Sequence, residues 1–302
     1  MGYQLSGQAL TSAFKKWSAE YDIYAPMVFE GTGRFSETDV IRYGKVTDPA
    51  QIVWDERSEY SFKDVLTPVC QVLFYFTENE VKEADFPPKG AIIFLRSCDL
   101  HAVKRLDFMF LENGPEDYYY KTLRDRVKFV LMGCEHPFED CFCVSMGTNV
   151  STDYDAAVNA KDGEYFLDCP DATLAAALQE FAERTCDVVP DHVEEDDVEV
   201  TIPDNLTNAI AKTSIWDEYD KRCIKCGRCT LACPTCTCWS MQDIFYTENG
   251  KAGERRRVQT SCMFDDYTTV AGGGCFRQKA GERMRFKVLH KVMDLNTRAG
   301  FQ

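Results

Sequence analysis

Cys223-Ile-Lys-Cys226-Gly-Arg-Cys229-Thr-Leu-Ala-Cys233-Pro234 places four thiols within eleven residues. The spacing, C-x2-C-x2-C-x3-C-P, is that of a loop wrapped round a [4Fe–4S] cubane. Thiolates two residues apart reach successive corners of a compact cluster, with backbone N–H groups turned toward its sulfurs. Gly227 supplies the unusual backbone angles that such wrapping needs. Pro234 has no N–H to donate and sets the direction of the chain after the last ligand. Lys225 and Arg228 are expected to offset part of the negative charge. Structural zinc is the competing reading, but its ligands come as knuckles separated by longer intervals. The run therefore predicts an iron–sulfur domain of ferredoxin type, mainly α, over residues 205–302.

More cysteines follow: Cys236 and Cys238 directly after the run, then Cys262 and Cys275. In two-cluster ferredoxins the fourth cysteine of one run ligates the other cluster. No second C-x2-C-x2-C run exists here, so two arrangements stay open. Either Cys233 closes the first cluster, or a second cluster draws on Cys236, Cys238 and Cys262. Those three are equally readable as packing thiols, and Cys275, in a Gly272-Gly-Gly turn, looks least like a ligand. One [4Fe–4S] cluster is expected, with room for two or three.

Fifteen cysteines among 302 residues stand out in a chain that reads as cytosolic, because disulfides are rare in reducing compartments and the total is odd. No stretch approaches the ~20 apolar residues of a membrane span. The N-terminus lacks a basic segment leading into an apolar one. Gly2 and Ser6 fit only the loose myristoylation pattern. A cytoplasmic protein is expected. The formal net charge of -15 opposes binding to nucleic acid or anionic lipid. Arg255-Arg256-Arg257, with Arg283, Arg285, Lys287 and Lys291, reads as a solvated helix face balancing acidic neighbours.

Working outward to the N-terminal side, residues 1–60 hold no cysteine. They show a helical stretch near 11–19, then irregular Gly-containing sequence. Leu66–Phe76 has helical or strand character. Gly90-Ala-Ile-Ile-Phe-Leu-Arg96 is a continuous apolar run, as expected of a buried parallel strand. Asp99 is placed to cap a helix with the face Leu100, Val103, Leu106 and Phe110. A second apolar run covers 127–132, and Asp171 caps a helix through Leu174, Leu178 and Phe181. Strand, helix, strand in this order predicts an α/β domain with a partly parallel sheet over residues 1–204. Asp187–Asp204, acidic and with two prolines, reads as a linker or exposed edge segment that closes this domain.

Cys98 and Cys134 each follow a predicted strand. Parallel neighbours would bring both thiols to the carboxyl edge of the sheet, where open α/β folds bind ligands. Cys141-Phe-Cys143 lies on a loop able to fold over the same edge. Cys98, Cys134, Cys141 and Cys143 are therefore candidate ligands of a further cluster, against the alternative of thiols merely buried at strand ends. Asp99, His101 and His136 are read as supporting groups, since a soft thiolate site does not need them.

Taken together, several segments resemble one family. They are Ser58-Glu-Tyr-Ser-Phe-Lys63 through Leu66-Thr-Pro-Val, Arg96-Ser-Cys98-Asp99, Gly133-Cys134 with Cys141-Phe-Cys143, and the Cys223 run extended as Pro234-Thr-Cys236-Thr-Cys238. Ser261-Cys262-Met-Phe, Ala271-Gly-Gly, Gly281-Glu-Arg-Met-Arg-Phe and His290-Lys291 follow in the same order. The chain resembles the A subunit of anaerobic sulfite reductase, in a broader group that includes sulfhydrogenase β subunits. The resemblance covers about residues 55 to 302. It implies an electron-transfer subunit with two ferredoxin-type clusters. Its implied partners are a flavin subunit that oxidises NADH and a sirohaem subunit that reduces sulfite to sulfide. The family continues into a second C-x2-C-x2-C-x3-C-P run, whereas this sequence ends at Gly300-Phe301-Gln302, as a truncated or naturally short form.

No GxGxxG fingerprint, nucleotide loop or CxxCH haem site is present, and no general-base constellation stands out among four histidines. No catalytic residue is assigned. The expected role is an electron carrier in an oxidoreductase complex. The alternatives are the same role in a sulfhydrogenase or other reductase, and a zinc-stabilised interaction module. A free-standing enzyme acting at the Cys98 edge is a further reading.

Overall fold

A computed structural model describes residues 2–35 and 37–300. Phe301 and Gln302, the end of the expected C-terminal domain, lie outside the described residues. The chain divides into two units, one of Met1–Thr67 with Asp85–Val200 and one of Pro68–Ala84 with Thr201–Gln302.

The first unit opens with β1 (Gly2–Ser6), α1 (Gly7–Trp17), β2 (Tyr21–Phe29) and β3 (Val40–Val46). The chain then lends β4 (Cys70–Phe76) and β5 (Val81–Glu83) to the second unit. It resumes with β6 (Gly90–Leu95), α2 (Ser97–Asp107), α3 (Tyr118–Arg124), β7 (Val127–Met132), β8 (Ala156–Lys161), β9 (Glu164–Asp168), α4 (Ala172–Phe181) and β10 (Arg184–Cys186). These strands form one mixed sheet in the order β10-β1-β9-β8-β7-β6-β2-β3. The pairs β2–β6, β6–β7 and β7–β8 are parallel, as the strand–helix–strand pattern predicts.

Alternation along β6 and β7 builds a core on each face. Ile92, Phe94, Val130 and Met132 pack with Leu10, Phe14 and Trp17 of α1 and Leu174 and Leu178 of α4. Ile93, Leu95, Phe129 and Leu131 point the other way, onto Leu100, Val103 and Leu106 of α2. Strands buried on both sides read as unbroken apolar runs, which is why these two were recognisable. The apolar face read for α2 is the one buried, but Asp99 is not its cap. The helix starts at Ser97, so Asp99 falls in the first turn, and its carboxylate accepts the Arg96 N–H at 3.4 Å and the Tyr43 hydroxyl at 3.3 Å. Asp171 does cap α4, accepting the Leu174 N–H at 2.9 Å.

Two expectations for this unit change. The irregular stretch before residue 60 contains the antiparallel pair β2–β3. The segment after Asp187 is no loose linker: down to Val200 it lies along the cysteine loop of its own unit. Cys134 N–H donates to Asp191 O at 3.0 Å, and Asn149 Nδ2 donates to Val193 O at 2.9 Å. The Asp196 carboxylate accepts the N–H groups of Val144 and Ser145 at 2.8 and 2.5 Å. Its acidity serves backbone donors that the loop would otherwise leave open.

The second unit is not mainly helical. Its centre is an antiparallel sheet, β11-β12-β4-β5, whose later strands are β11 (Trp239–Phe245) and β12 (Gly253–Gln259). Short helices flank it: α5 (Glu218–Arg222), α6 (Arg228–Leu231), α7 (Ala280–Leu289) and α8 (Leu295–Ala299), the last two joined by a π-helical turn at His290–Asp294. Arg255, Arg256 and Arg257 belong to β12, not to a helix. Arg255 forks onto Asp243 across the strand pair at 2.7 and 2.8 Å, Arg256 pairs with Glu254, and Arg257 is buried with Nη2 2.9 Å from Gln71 Oε1. No helix among the described residues is long and apolar enough to cross a membrane.

Candidate functional site

In the second unit the Cys223 run begins where α5 ends and turns at two left-handed residues, Lys225 at φ 57° and Gly227 at φ 75°. A Cβ at Gly227 would sit 2.5 Å from the Phe264 ring and 3.0 Å from Ser261 Cβ, so glycine is required by space as well as by angle. Cys226 and Cys229 are solvent-exposed, while Cys223 and Cys233 are half-buried. The run turns its two middle thiols outward and keeps its first and last half-covered.

Inward, four thiols form two hydrogen-bonded pairs. The Cys236 thiol bonds to Cys233 and holds the Cys233 thiol well below its ordinary value, against burial and with help from Lys291, Thr235 and Lys287. The Cys262 thiol bonds to Cys238 and brings it down to about 6, again against burial. In each pair the donor, Cys236 or Cys262, is pushed up by its partner and by burial. A thiolate–thiol pair is what a soft metal group would replace with two thiolates.

The cation at the centre is Lys287 of α7. Its Nζ lies 3.3 Å from Cys236 Sγ and 3.5 Å from Thr230 Oγ1. Burial lowers its pKa, but the negative charge of Cys236, Cys233 and Cys229 outweighs burial and raises it. Lys291 Nζ donates to Thr235 Oγ1 at 2.5 Å, and that hydroxyl is 3.4 Å from Cys233 Sγ. Lys287 and Lys291 are thus not a solvated face; they turn toward sulfur. Lys225, expected to offset cluster charge, is engaged by Asp265 at 2.7 Å. Sequence reasoning missed Lys287 because its charge lies more than fifty residues from the run it serves.

Cys275 has other partners: Thr268 Oγ1 at 3.0 Å, Arg277 O at 3.3 Å and Arg283 Nη2 at 3.7 Å. Arg283 is fully buried and reaches the Phe264 carbonyl as well.

In the first unit, Cys98 sits in the first turn of α2 and Cys134 two residues beyond β7, with Cys141 and Cys143 on the loop that follows. Burial pushes the Cys98 thiol well up, and Asp99, Cys134, Cys143 and Cys141 add to this, so the four thiols share one electrostatic neighbourhood. His101 bonds through Nε2 to Val150 O at 2.9 Å and His136 is exposed. Among the described residues, no three His, Cys, Asp or Glu side chains converge as the ligands of a single ion must. A cubane, with one thiolate per iron, asks for a wider spread of donors.

Residues 222–302 match the model of a family described as a 4Fe-4S dicluster domain. The chain is 29% identical over 294 residues to sulfhydrogenase 2 subunit beta of Pyrococcus furiosus, covering 88% of this chain and 80% of that one. No solved structure gives a significant match. The cofactor is accordingly the [4Fe–4S] cluster, and the soft, half-buried, cation-flanked thiols of the second unit fit it.

Proposed function

We propose that this chain is an iron–sulfur electron-transfer subunit of a multi-subunit oxidoreductase. Cys223, Cys226, Cys229 and Cys233 would hold one [4Fe–4S] cluster, and Cys236, Cys238 and Cys262 are the donors available to a second. Such a cluster accepts and returns one electron at a time. The protein's part is to fix the thiolates, limit water and set the local charge. Gly227 lets the loop close beside Phe264, Thr230 and Thr235 bring hydroxyls to the sulfurs, and Lys287 supplies positive charge at the inner thiols.

The observation that carries this reading is the Lys287 ammonium 3.3 Å from Cys236 Sγ, with Lys291 reaching Cys233 through the Thr235 hydroxyl. A lysine half-buried among thiols is unfavourable for both unless the sulfurs carry charge, which metal ligation enforces.

The resemblance to anaerobic sulfite reductase A subunits suggests a flavin/NADH donor subunit and a sirohaem acceptor that reduces sulfite. The name of the Pyrococcus relative suggests hydrogenase partners instead. Both readings share the relay role, and the partner is what separates them. The test is anaerobic purification with any bound subunits, then iron and acid-labile sulfide per chain and a visible spectrum before and after dithionite. About four irons or more per chain with a broad band that bleaches supports the relay. Zinc without iron or colour would favour the interaction-module reading and remove the relay. In the purified complex, NADH-dependent sulfite reduction would point to the first partner set and hydrogen evolution to the second.

A further inference from the structure

Cys98, Cys134, Cys141 and Cys143 of the first unit lie outside residues 222–302, so the dicluster match does not account for them. Their convergence is a consequence of topology. β6 and β7 are parallel neighbours with Leu95 opposite Leu131, so the chain leaves both at the same edge, toward Cys98 and toward Cys134. That carboxyl edge is where open α/β sheets place their ligands.

Cys141 and Cys143 are held there by the acidic segment that follows β10. The N–H groups of Asp197 and Val198 both donate to Cys141 O at 3.0 Å, and Asp140 N–H donates to an Asp197 carboxylate oxygen at 2.8 Å. Asp140 is left-handed, at φ 63°, immediately before Cys141. A side chain rarely adopts that angle without such support. Around the thiols, two polar groups await a partner or supply charge. Arg96 is only 9% exposed, and its Nη1 lies 2.5 Å from Gly133 O and 3.7 Å from Cys134 Sγ. Ser97 Oγ, next to Cys98, is buried without any hydrogen-bond partner, an arrangement that costs free energy unless something else accepts its proton. Cys98 itself is solvent-accessible, in the first turn of α2.

We propose that Cys98, Cys134, Cys141 and Cys143 hold a [4Fe–4S] cluster of their own in the first unit, with Arg96 offsetting its charge and the Ser97 hydroxyl donating to its sulfur. Four thiols suit zinc as well as a cubane, so the metal recovered decides between them. The site is separate from the Cys223 run and stands or falls independently of it.

The test uses the full chain, purified without oxygen. Cys134→Ala is expected to lose about four irons and the matching sulfide per chain, while Cys226→Ser loses a different set and the double variant loses both. Cys186→Ser, a thiol of the same unit outside the site, should keep the parental iron content. An unchanged iron content in Cys134→Ala and Cys98→Ser would overturn the proposal even if Cys226→Ser behaves as expected. Should these variants fail to fold, the parental protein still answers. In the iron-loaded state iodoacetamide should label exposed Cys70 and leave the four thiols unmodified, by mass spectrometry. After iron is stripped with chelator and ferricyanide, Cys98 should become labelled. Labelling of Cys98 in the iron-loaded protein, or zinc recovered in place of iron, would equally overturn the site.

Discussion

Lys287 Nζ donates to Cys236 Sγ across 3.3 Å, joining the last long helix of the chain to the loop that closes its cysteine run. Positive charge at that distance favours the more negative, reduced state of any cluster on these thiols. Lys287→Met should therefore make the potential of a C-terminal cluster more negative, and Lys287→Arg should restore most of it. A lost charge-assisted hydrogen bond is worth about 1.5–3 kcal/mol, or roughly 60–130 mV for one electron. An EPR-monitored redox titration reads the shift. Potentials unaltered in the Met variant would mean that the lysine only packs.

Gly227 and Gly250 make a matched pair of tests. Both are left-handed, at φ 75° and 68°, but a Cβ at Gly250 meets nothing closer than the Phe245 ring at 3.7 Å. Gly250→Ala should cost about 1–2 kcal/mol from the backbone angle alone. Gly227→Ala adds a collision with Phe264, so it should cost clearly more and lower the iron content. Thermal midpoints and iron per chain decide this. Equal losses in the two variants would show that the space beside Phe264 is not what requires glycine.

Much of this architecture was readable because burial on both sides leaves a plain pattern. The runs at 90–95 and 127–132 are strands, Asp171 caps its helix, and Cys98 and Cys134 emerge at one edge. What escaped reading has identifiable causes. β12 is mostly charged, and Asp243 interrupts the Trp239, Met241, Phe245 alternation of β11, so the pair lacks a clean apolar pattern. Asn249-Gly250 between them is a hairpin signal that could have revealed the pair. The segment after Asp187 looked like a linker because acidity and proline are the marks of one. Its carboxylates answer backbone N–H groups some fifty residues away, a complementarity that no local window displays.

That complementarity is itself testable. Asp196 accepts two consecutive N–H groups just after Cys143. Asp196→Ala removes both acceptors and should free the loop while leaving the core of the sheet intact. Amide exchange across residues 140–148 should quicken by about tenfold or more, in line with the ~1–3 kcal/mol cost of stranded donors. Asp196→Asn retains one good acceptor and should fall between. Unchanged exchange in the Ala variant would return the segment to the status of a linker.

Asp171 gives a pH prediction away from every thiol ligand. Burial opposes its ionisation, but the hydrogen bond from Lys128 at 2.6 Å and the Leu174 N–H outweigh it, so its pKa is lowered from the ordinary carboxylate value. A depressed folded-state pKa contributes stability that is complete above the unfolded value, ~3.9, and disappears as pH falls through the lower folded value. Asp171→Asn removes the ionisation while keeping an oxygen to cap α4. The gap between parental and variant thermal midpoints should be constant above about pH 5 and close as pH drops below ~3.9. Comparing two proteins at each pH cancels acid effects that both share, including loss of metal. If the gap instead persists undiminished to pH 3, the Lys128–Asp171 pair does not stabilise this helix through charge.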